Sequence, residues 1–297
     1  MEYETLLENE KIYADYAKLQ VTDRQGAQAD EITLEILNTD IEGIERGRSL
    51  KVAFGGFNSG KMHIDKISST TRQTRIGALS VPVSAKEKRT RHWNKVRLFD
   101  IVNNVATNLG ISVFYQDIEN HYYENVTQYN ETDLSFLNRL CTREGYALKI
   151  DDDRAVIYNK HSVESLEAVA TIKNGGEILN DRIAFSENPN MVQSVTVKHF
   201  ADRLIAYTAT SGAMGARLNV REYVSDEGEA ERFAKGYLKF YTENDVTVDA
   251  LIPINDGIAS GNNVKFEGYA RYDGKYFITE CCHDPKNKQT RILGRRV

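Results

Sequence analysis

The sequence predicts an α+β fold that is mainly β: two antiparallel β-barrel domains flanking a small α/β insert, with one further amphipathic helix in the C-terminal half. Three observations carry that expectation. Apolar residues alternate with period two through the first 85 or so residues, recur every three and four residues from Val96, and alternate again past Lys160. The expected division is a first barrel over 1–87, the α/β insert over 88–160, and a second barrel over 161–297 with a helix inserted at 225–242. At 297 residues the chain exceeds the roughly 100 to 150 residues of a usual domain, so more than one core is expected.

In the first region, Ile32, Leu34 and Ile36, then Leu50, Val52 and Phe54, then Met62, Ile64 and Ile67 form short alternating runs. Each is bounded by Gly, Asn or Asp, as consecutive antiparallel strands require. The run GGFNSGKM, Gly55 to Met62, fits G-x-x-x-x-G-K but ends in Met62, where a phosphate loop needs Ser or Thr for magnesium. A phosphate loop also leads into a helix, whereas alternating MHIDKI follows here, so Phe57 to Gly60 reads as a hairpin turn.

The insert opens with a helix on which Leu98, Ile101, Val102, Val105 and Leu109 share a face, ended by Gly110 as a left-handed cap. A second helix starts at Thr132 as N-cap with Asp133 at its positive end. It places Leu134, Leu137, Leu140 and Cys141 on one face and stops at Gly145. A strand from Tyr146 to Ile150, a turn from Asp151 to Asp153 and a strand from Ala155 to Tyr158 complete the unit.

In the last region Val195 and Val197, then Val264, Phe266, Tyr276 and Ile278, mark strands. Between them Ser225 reads as the cap of a third helix, with Asp226 and Glu227 at its positive end. Ala230, Phe233, Ala234, Tyr237, Leu238 and Tyr241 form its stripe. Phe233, Tyr237 and Tyr241 are therefore candidate packing or interface residues.

Composition narrows the function. A net charge of -5 argues against a protein that mainly neutralises nucleic-acid phosphate, and the basic run Lys86 to Arg97 reads as a solvated linker. No apolar run approaches the roughly 18 residues of a membrane span, and the acidic N-terminus does not read as a secretory signal, which predicts folding in the cytoplasm. Cys141, Cys281 and Cys282 are too few for a disulfide framework and read as reduced. Cys281, Cys282 and His283 alternate between strand faces without a second ligand cluster, so a core Cys with an interfacial His is expected instead of a metal. The triplet Asp151 to Asp153 lacks calcium-loop spacing and reads as a solvated turn. No catalytic residue, metal or cofactor is expected. Sixteen Tyr against eleven Phe suit half-buried interfaces, with carbohydrate binding as the competing use.

Four features carry a resemblance to a known family. They are Arg91 and Trp93 in RTRHWNKVRLFDIVNNVATNLGI; QYNETD leading into LSFLNRLCTREGY; MHIDKISS after a glycine turn; and GNNVKFEGYARYDGKYFITECCHD near the C-terminus. In this order they cover most of the chain, which resembles the phage late control gene D family. These are baseplate hub proteins of contractile phage tails and tailocins, related to the hub part of type VI secretion spikes. The resemblance makes Trp93, Asp133, Leu134, Phe136, Leu137, Leu140, Gly145, Tyr146 and His283 structural signature residues. It implies a non-enzymatic homotrimeric ring joining a six-fold tail tube to a three-fold spike. The expected partners are the tube, spike and baseplate wedge proteins, with no membrane and no specific nucleic acid, although DNA would pass through the lumen. The chain would be made in the bacterial cytoplasm and reside in a virion baseplate or tailocin. A tail-associated cell-wall hydrolase or a glycan-binding module is the alternative.

Overall fold

A computed structural model describes residues 2–26, 28–37, 43–175, 182–188, 192–200 and 202–297. The first region holds β1 (Tyr3–Leu7), β2 (Glu10–Lys11), β3 (Tyr16–Arg24), β4 (Glu31–Leu37), β5 (Ser49–Phe54), β6 (Phe57–Asn58), β7 (Met62–Ser69) and β8 (Gln73–Leu79). The middle holds β9 (Lys88–Arg97), α1 (Leu98–Leu109), β10 (Ser112–Gln116), β11 (Tyr122–Thr132), α2 (Asp133–Arg143), β12 (Tyr146–Asp151), β13 (Arg154–Asn159) and α3 (Lys160–Ser165). Then come β14 (Ala170–Lys173), β15 (Ile183–Glu187), β16 (Val192–Phe200), β17 (Leu204–Thr210), β18 (Ala216–Arg221) and α4 (Glu227–Thr242). The last strands are β19 (Val246–Pro253), β20 (Asn263–Glu267), β21 (Gly274–Asp284) and β22 (Gln289–Arg296).

The fold is α+β and mainly β, but its strands do not close into two barrels. Among the described residues the first and last strand sets belong to one sheet, ordered β15-β19-β22-β21-β3-β4-β8-β7-β5-β1-β2, with β20 on β21, β14 on β20 and β6 on β5. The cause is the length of β21. Its first half pairs with β20, from Phe277 opposite Asn263 to Gly274 opposite Phe266. After a register shift its second half pairs with β3, from Glu280 opposite Arg24 to His283 opposite Val21. Alternation within each strand reveals its faces but not its neighbours, so the sequence could not show this join.

Two local expectations change for similar reasons. The turn after β5 is Gly55–Gly56, not Phe57 to Gly60, because Phe57 and Asn58 pair straight back as β6. A strand, β7, follows as expected. A register shift between Ile64 and Lys66 leaves Asp65 buried, and Ile67, although set opposite the buried Ile76, is exposed towards the end of the strand.

Three large apolar clusters and one small one underlie this arrangement among the described residues. Leu19, Ile32, Leu34, Leu50 and Val52 belong to one under the first strands, and Val248, Ala250, Val264, Phe266 and Ile292 to another under the last. The third and largest joins α1, α2 and their strands to α4 and the separate sheet β17-β16-β18, through residues such as Val105, Leu137, Phe233 and Val197. The apolar packing of the insert thus continues into β16, β17 and α4, from Val197 to Leu238.

Helix ends follow the capping chemistry. Gly110 closes α1 at φ 71, and the Thr132 side chain accepts the Ser135 N–H. At α4 the cap is Asp226 instead of Ser225. Its carboxylate accepts the Glu229 N–H at 2.8 Å, while the Ser225 N–H and hydroxyl both donate to the Glu229 carboxylate. Ala230, Phe233 and Ala234 are buried and Tyr237 half-buried, but Tyr241 is 41% exposed, so the expected stripe ends one turn early.

Where α2 and α4 meet, a glycine is required. A β-carbon at Gly236 would lie within 2.7 Å of the Thr142 carbonyl oxygen and the Arg143 carbonyl carbon, and backbone cannot yield as a flexible side chain would. Gly236→Ala is expected to destabilise the α2–α4 body by about 1–3 kcal/mol despite its better helix propensity. Urea denaturation monitored by far-UV circular dichroism checks this, and a variant as stable as the parent would contradict the close approach.

Candidate functional site

Eight of the nine signature residues gather around α2. The ribbon of β9 and β11 sets Trp93 opposite Val126 and Arg91 opposite Gln128. Arg91 donates to the Gln128 side chain at 3.0 Å and to the buried Asp133 carboxylate, which also accepts from Gln128 at 2.9 Å. The Arg91 guanidinium lies 5.6 Å over the Trp93 ring, and that ring stacks on Phe136 with centroids 5.2 Å apart. Asp133 therefore serves twice, as the anion at the positive end of α2 and as the partner fixing the ribbon to it. Leu134, Leu137 and Leu140 are buried in the shared cluster. Gly145 takes the left-handed conformation at φ 75 just past α2. The buried Tyr146 hydroxyl accepts the Glu119 N–H at 3.1 Å and bonds to His121.

The sequence reading missed the buried charges beneath this assembly. The Arg143 guanidinium is sandwiched between the Tyr123 ring at 4.9 Å and the Phe233 ring at 4.4 Å, and it donates to Glu222 at 2.9 Å. Burial works against its charge, but Glu222, Tyr123 and Glu144 outweigh it and hold the pKa above the ordinary value. Glu144 in turn accepts from Tyr123 at 2.7 Å and from Arg232 at 3.1 Å, and Tyr237 donates to Glu222. Of the candidate packing residues, Phe233 and Tyr237 join this network. Tyr241 contacts Phe240 edge to face at the exposed end of α4. A lone glycine inside a helical stripe, Gly236, was the available signal that another helix crosses there.

The ninth signature residue, His283, lies apart and is wholly buried where β21 meets β3. It sits against the Phe54 and Phe57 rings, at 5.2 and 4.6 Å, and is as much a core residue as the neighbouring Cys281. Its Nε2 is 3.3 Å from Cys281 Sγ and 3.1 Å from the Ile258 carbonyl oxygen, and its Nδ1 is 2.9 Å from Thr290. The order Cys, His, Thr imitates a nucleophile with its base and orienting group. Both ends are sealed in the core, and burial pushes the Cys281 thiol well above its usual range, opposite to the activation a nucleophile needs. Cys141 is likewise buried, its thiol pushed up to about 12 by burial.

The glycine-rich segment and the aspartate triplet find each other. The Lys61 N–H donates to Asp152 at 2.8 Å, and Asp153 bonds His63 and Lys61, each at 2.9 Å. From the other side Asp256 accepts the Gly56 N–H at 2.5 Å. The triplet thus forms the expected turn between β12 and β13, with Asp152 exposed, and in addition clasps that turn to the first strands. Among the described residues no group of three or more His, Cys, Asp or Glu could hold a metal ion.

Burial lowers the His283 pKa to about 4, against opposing effects of Asp23 and the Ile258 carbonyl. The folded value lies below the unfolded one, so the unfolded state takes up the proton first as pH falls. Stability is full above about 6.5 and declines between about 6.5 and 4, by up to about 3 kcal/mol from this residue. His283→Gln is expected to flatten the pH dependence of the urea midpoint over that window relative to the parent; parallel curves would contradict the assignment.

Residues 80–289 match the model of the family described as phage tail baseplate hub (GPD). The fold is similar to that of the 43 kDa tail protein of prophage MuSo2 from Shewanella oneidensis, at 15% identity over 99% of this chain and 98% of that one, with a TM-score of 0.78. It is similar to a tail protein from Neisseria meningitidis MC58, at 14% identity over 100% and 97% of the two chains, with a TM-score of 0.79. It is also similar to the E. coli c3393 protein, a type VI secretion system component, at 10% identity over 99% and 77%, with a TM-score of 0.64. No curated protein matches. The family match spans well over half of the sequence and coincides with the α2 assembly and β21, and the chain belongs to the phage tail baseplate hub (GPD) family.

Proposed function

We propose that the chain closes as a homotrimer, forming a ring that joins the six-fold tube of a contractile tail or tailocin to its three-fold spike. Its role is geometric and non-enzymatic, and its partners are the tube, spike and wedge proteins. DNA or effectors pass through the lumen, for which an acidic chain is suited. In this reading the regions 1–87 and 161–297 supply the ring-building strands and 88–160 the insert. The signature residues around Trp93 and Asp133 hold the insert rigid instead of meeting a ligand.

The observation that carries the reading is the family match combined with an open sheet. Among the described residues β2 and β15 end the large sheet, each with an unpaired edge. Such edges invite strand pairing, and a closed ring of copies removes them.

Sedimentation of the purified chain, alone and then with its tube and spike proteins, tests the proposal. A species of three times 33.7 kDa is expected, either alone or once the neighbours are present. A chain that stays monomeric in the presence of both would sink it.

A further inference from the structure

The three-stranded sheet β17-β16-β18 buries one face on α4 through Val197, Ile205 and Ala209 and leaves the other open. Register places three rows across the open face: Arg217, Ser194 and Thr210; Asn219, Thr196 and Thr208; Arg221, Lys198 and Ala206. Its side chains are already ordered. Thr196 and Thr208 hydroxyls bond at 2.8 Å, Lys198 donates to Asn219 at 3.1 Å, and Arg217 donates to Gln193 at 2.9 Å. Three cations stand in these rows with no carboxylate among them, on a chain whose net charge is -5.

Beyond the last row the face ends in an apolar groove of about 510 Å³, lined by Phe200, Leu204 and Tyr223 beside Lys198, His199 and Arg221. Phe200 is 75% and Leu204 60% exposed, and the two lie opposite each other at the end of the hairpin, so their apolar surfaces form one patch. The groove's carboxylate, Glu222, is taken up by Arg143 and Tyr237. Both outer strands, β17 and β18, present free edges among the described residues.

We infer that this face docks an extended, acidic segment of a different tail protein, whose carboxylates meet Arg217, Lys198 and Arg221 and whose bulky apolar side chain enters the Phe200 groove. The inference rests on the ring reading, which assigns the two ends of the large sheet to contacts between copies and leaves this separate sheet for another partner. A strand edge supplies main-chain pairing, the cationic rows supply charge complementarity and orientation, and the groove supplies an anchor. Nucleic acid is the less suited occupant, because Phe200 and Tyr223 both lie at one end of the face and offer no series of stacking platforms along it, and a phosphate backbone would not fill an apolar groove.

The test uses the full chain and a fluorescein-labelled peptide of alternating Glu and Thr around one central Trp, followed by fluorescence anisotropy. The parent is expected to bind this peptide, with affinity falling as salt rises, and to ignore the same peptide carrying Lys for Glu. Arg217→Glu with Arg221→Glu, and separately Phe200→Ser with Leu204→Ser, should each weaken binding at least about tenfold while keeping the parent's circular dichroism spectrum. Absence of peptide binding overturns the proposal, as does equal binding by both variants. Tighter binding of a single-stranded oligodeoxynucleotide would assign the face to nucleic acid and also overturn it. If the charge-reversed variant loses self-association in sedimentation, the face belongs to a second copy and the proposal fails. A parent that binds the peptide yet never forms a trimer would instead remove the ring reading alone.

Discussion

The pairing of β21 with β3 is the constraint on which the architecture depends. It converts two strand sets into one sheet, and it does so with four residue pairs, Glu280 to His283 against Arg24 to Val21. The join is reinforced on both faces. On the inner side His283 and Cys281 fill the space against Ile258 and the Phe54 and Phe57 rings. On the outer side Arg24 bridges Glu280 and Glu31, tying β21 through β3 to β4. A neutral buried imidazole suits this position, because it can share hydrogen bonds with Thr290 and the Ile258 carbonyl without leaving a charge in the core.

The body around α2 and α4 is held to that sheet mainly by polar contacts. Lys149 on β12 meets Asp23 at 2.6 Å and Ser260 at 2.9 Å, and both Ser260 donors return to Asp23 at 2.7 Å. Asp30 lies close by, and burial together with the Asp23 charge pushes its carboxyl well above the usual range. At the other end Arg295 of β22 reaches Glu164 and Glu243, which are bound in turn by Lys239 and Lys160, both at 2.8 Å. Buried pairs of this kind add little net stability over apolar contacts, but they penalise every orientation that leaves a charge unmatched. The relative setting of the two bodies is therefore specified by directional bonds. A small apolar patch of Ala147, Tyr158, Val163 and Phe277 fills between them.

How far the sequence could be read depended on the range of the interaction involved. Helices α1 and α2 were legible because their caps, Gly110 and Thr132, and their apolar spacing lie within a few residues of one another. Cys141 was correctly placed in the core for the same reason. The cap of α4 slipped from Ser225 to Asp226 because either side chain can accept, and the Glu229 carboxylate decides between them. Of the residues expected to pack or to form an interface, Tyr241 does not pack into the core of the chain, because apolar spacing continues past the point where α4 leaves its neighbours. The β21–β3 join and the burial of Arg143 beneath Phe233 depend on residues far apart in the chain, and no local pattern encodes them. The residues of the α2 assembly drew notice through the family resemblance before their chemistry was legible, since the Arg91–Asp133 bond and the Trp93–Phe136 stack exist only once ribbon and helix meet.

The separation of β3 from β21 also sets the order in which the molecule can form. Residues 16–24 wait for residues 280–283, so during synthesis β3 keeps an open edge until more than two hundred further residues have been made. The α2–α4 contact imposes a similar delay, since the space around Arg143 is filled only when Phe233 arrives. Pairings of such long range close slowly and leave partly folded chains prone to joining one another through the same edge. A chain built this way commits to its final shape late and almost all at once, which ties its assembly competence to completion of the β21 strand.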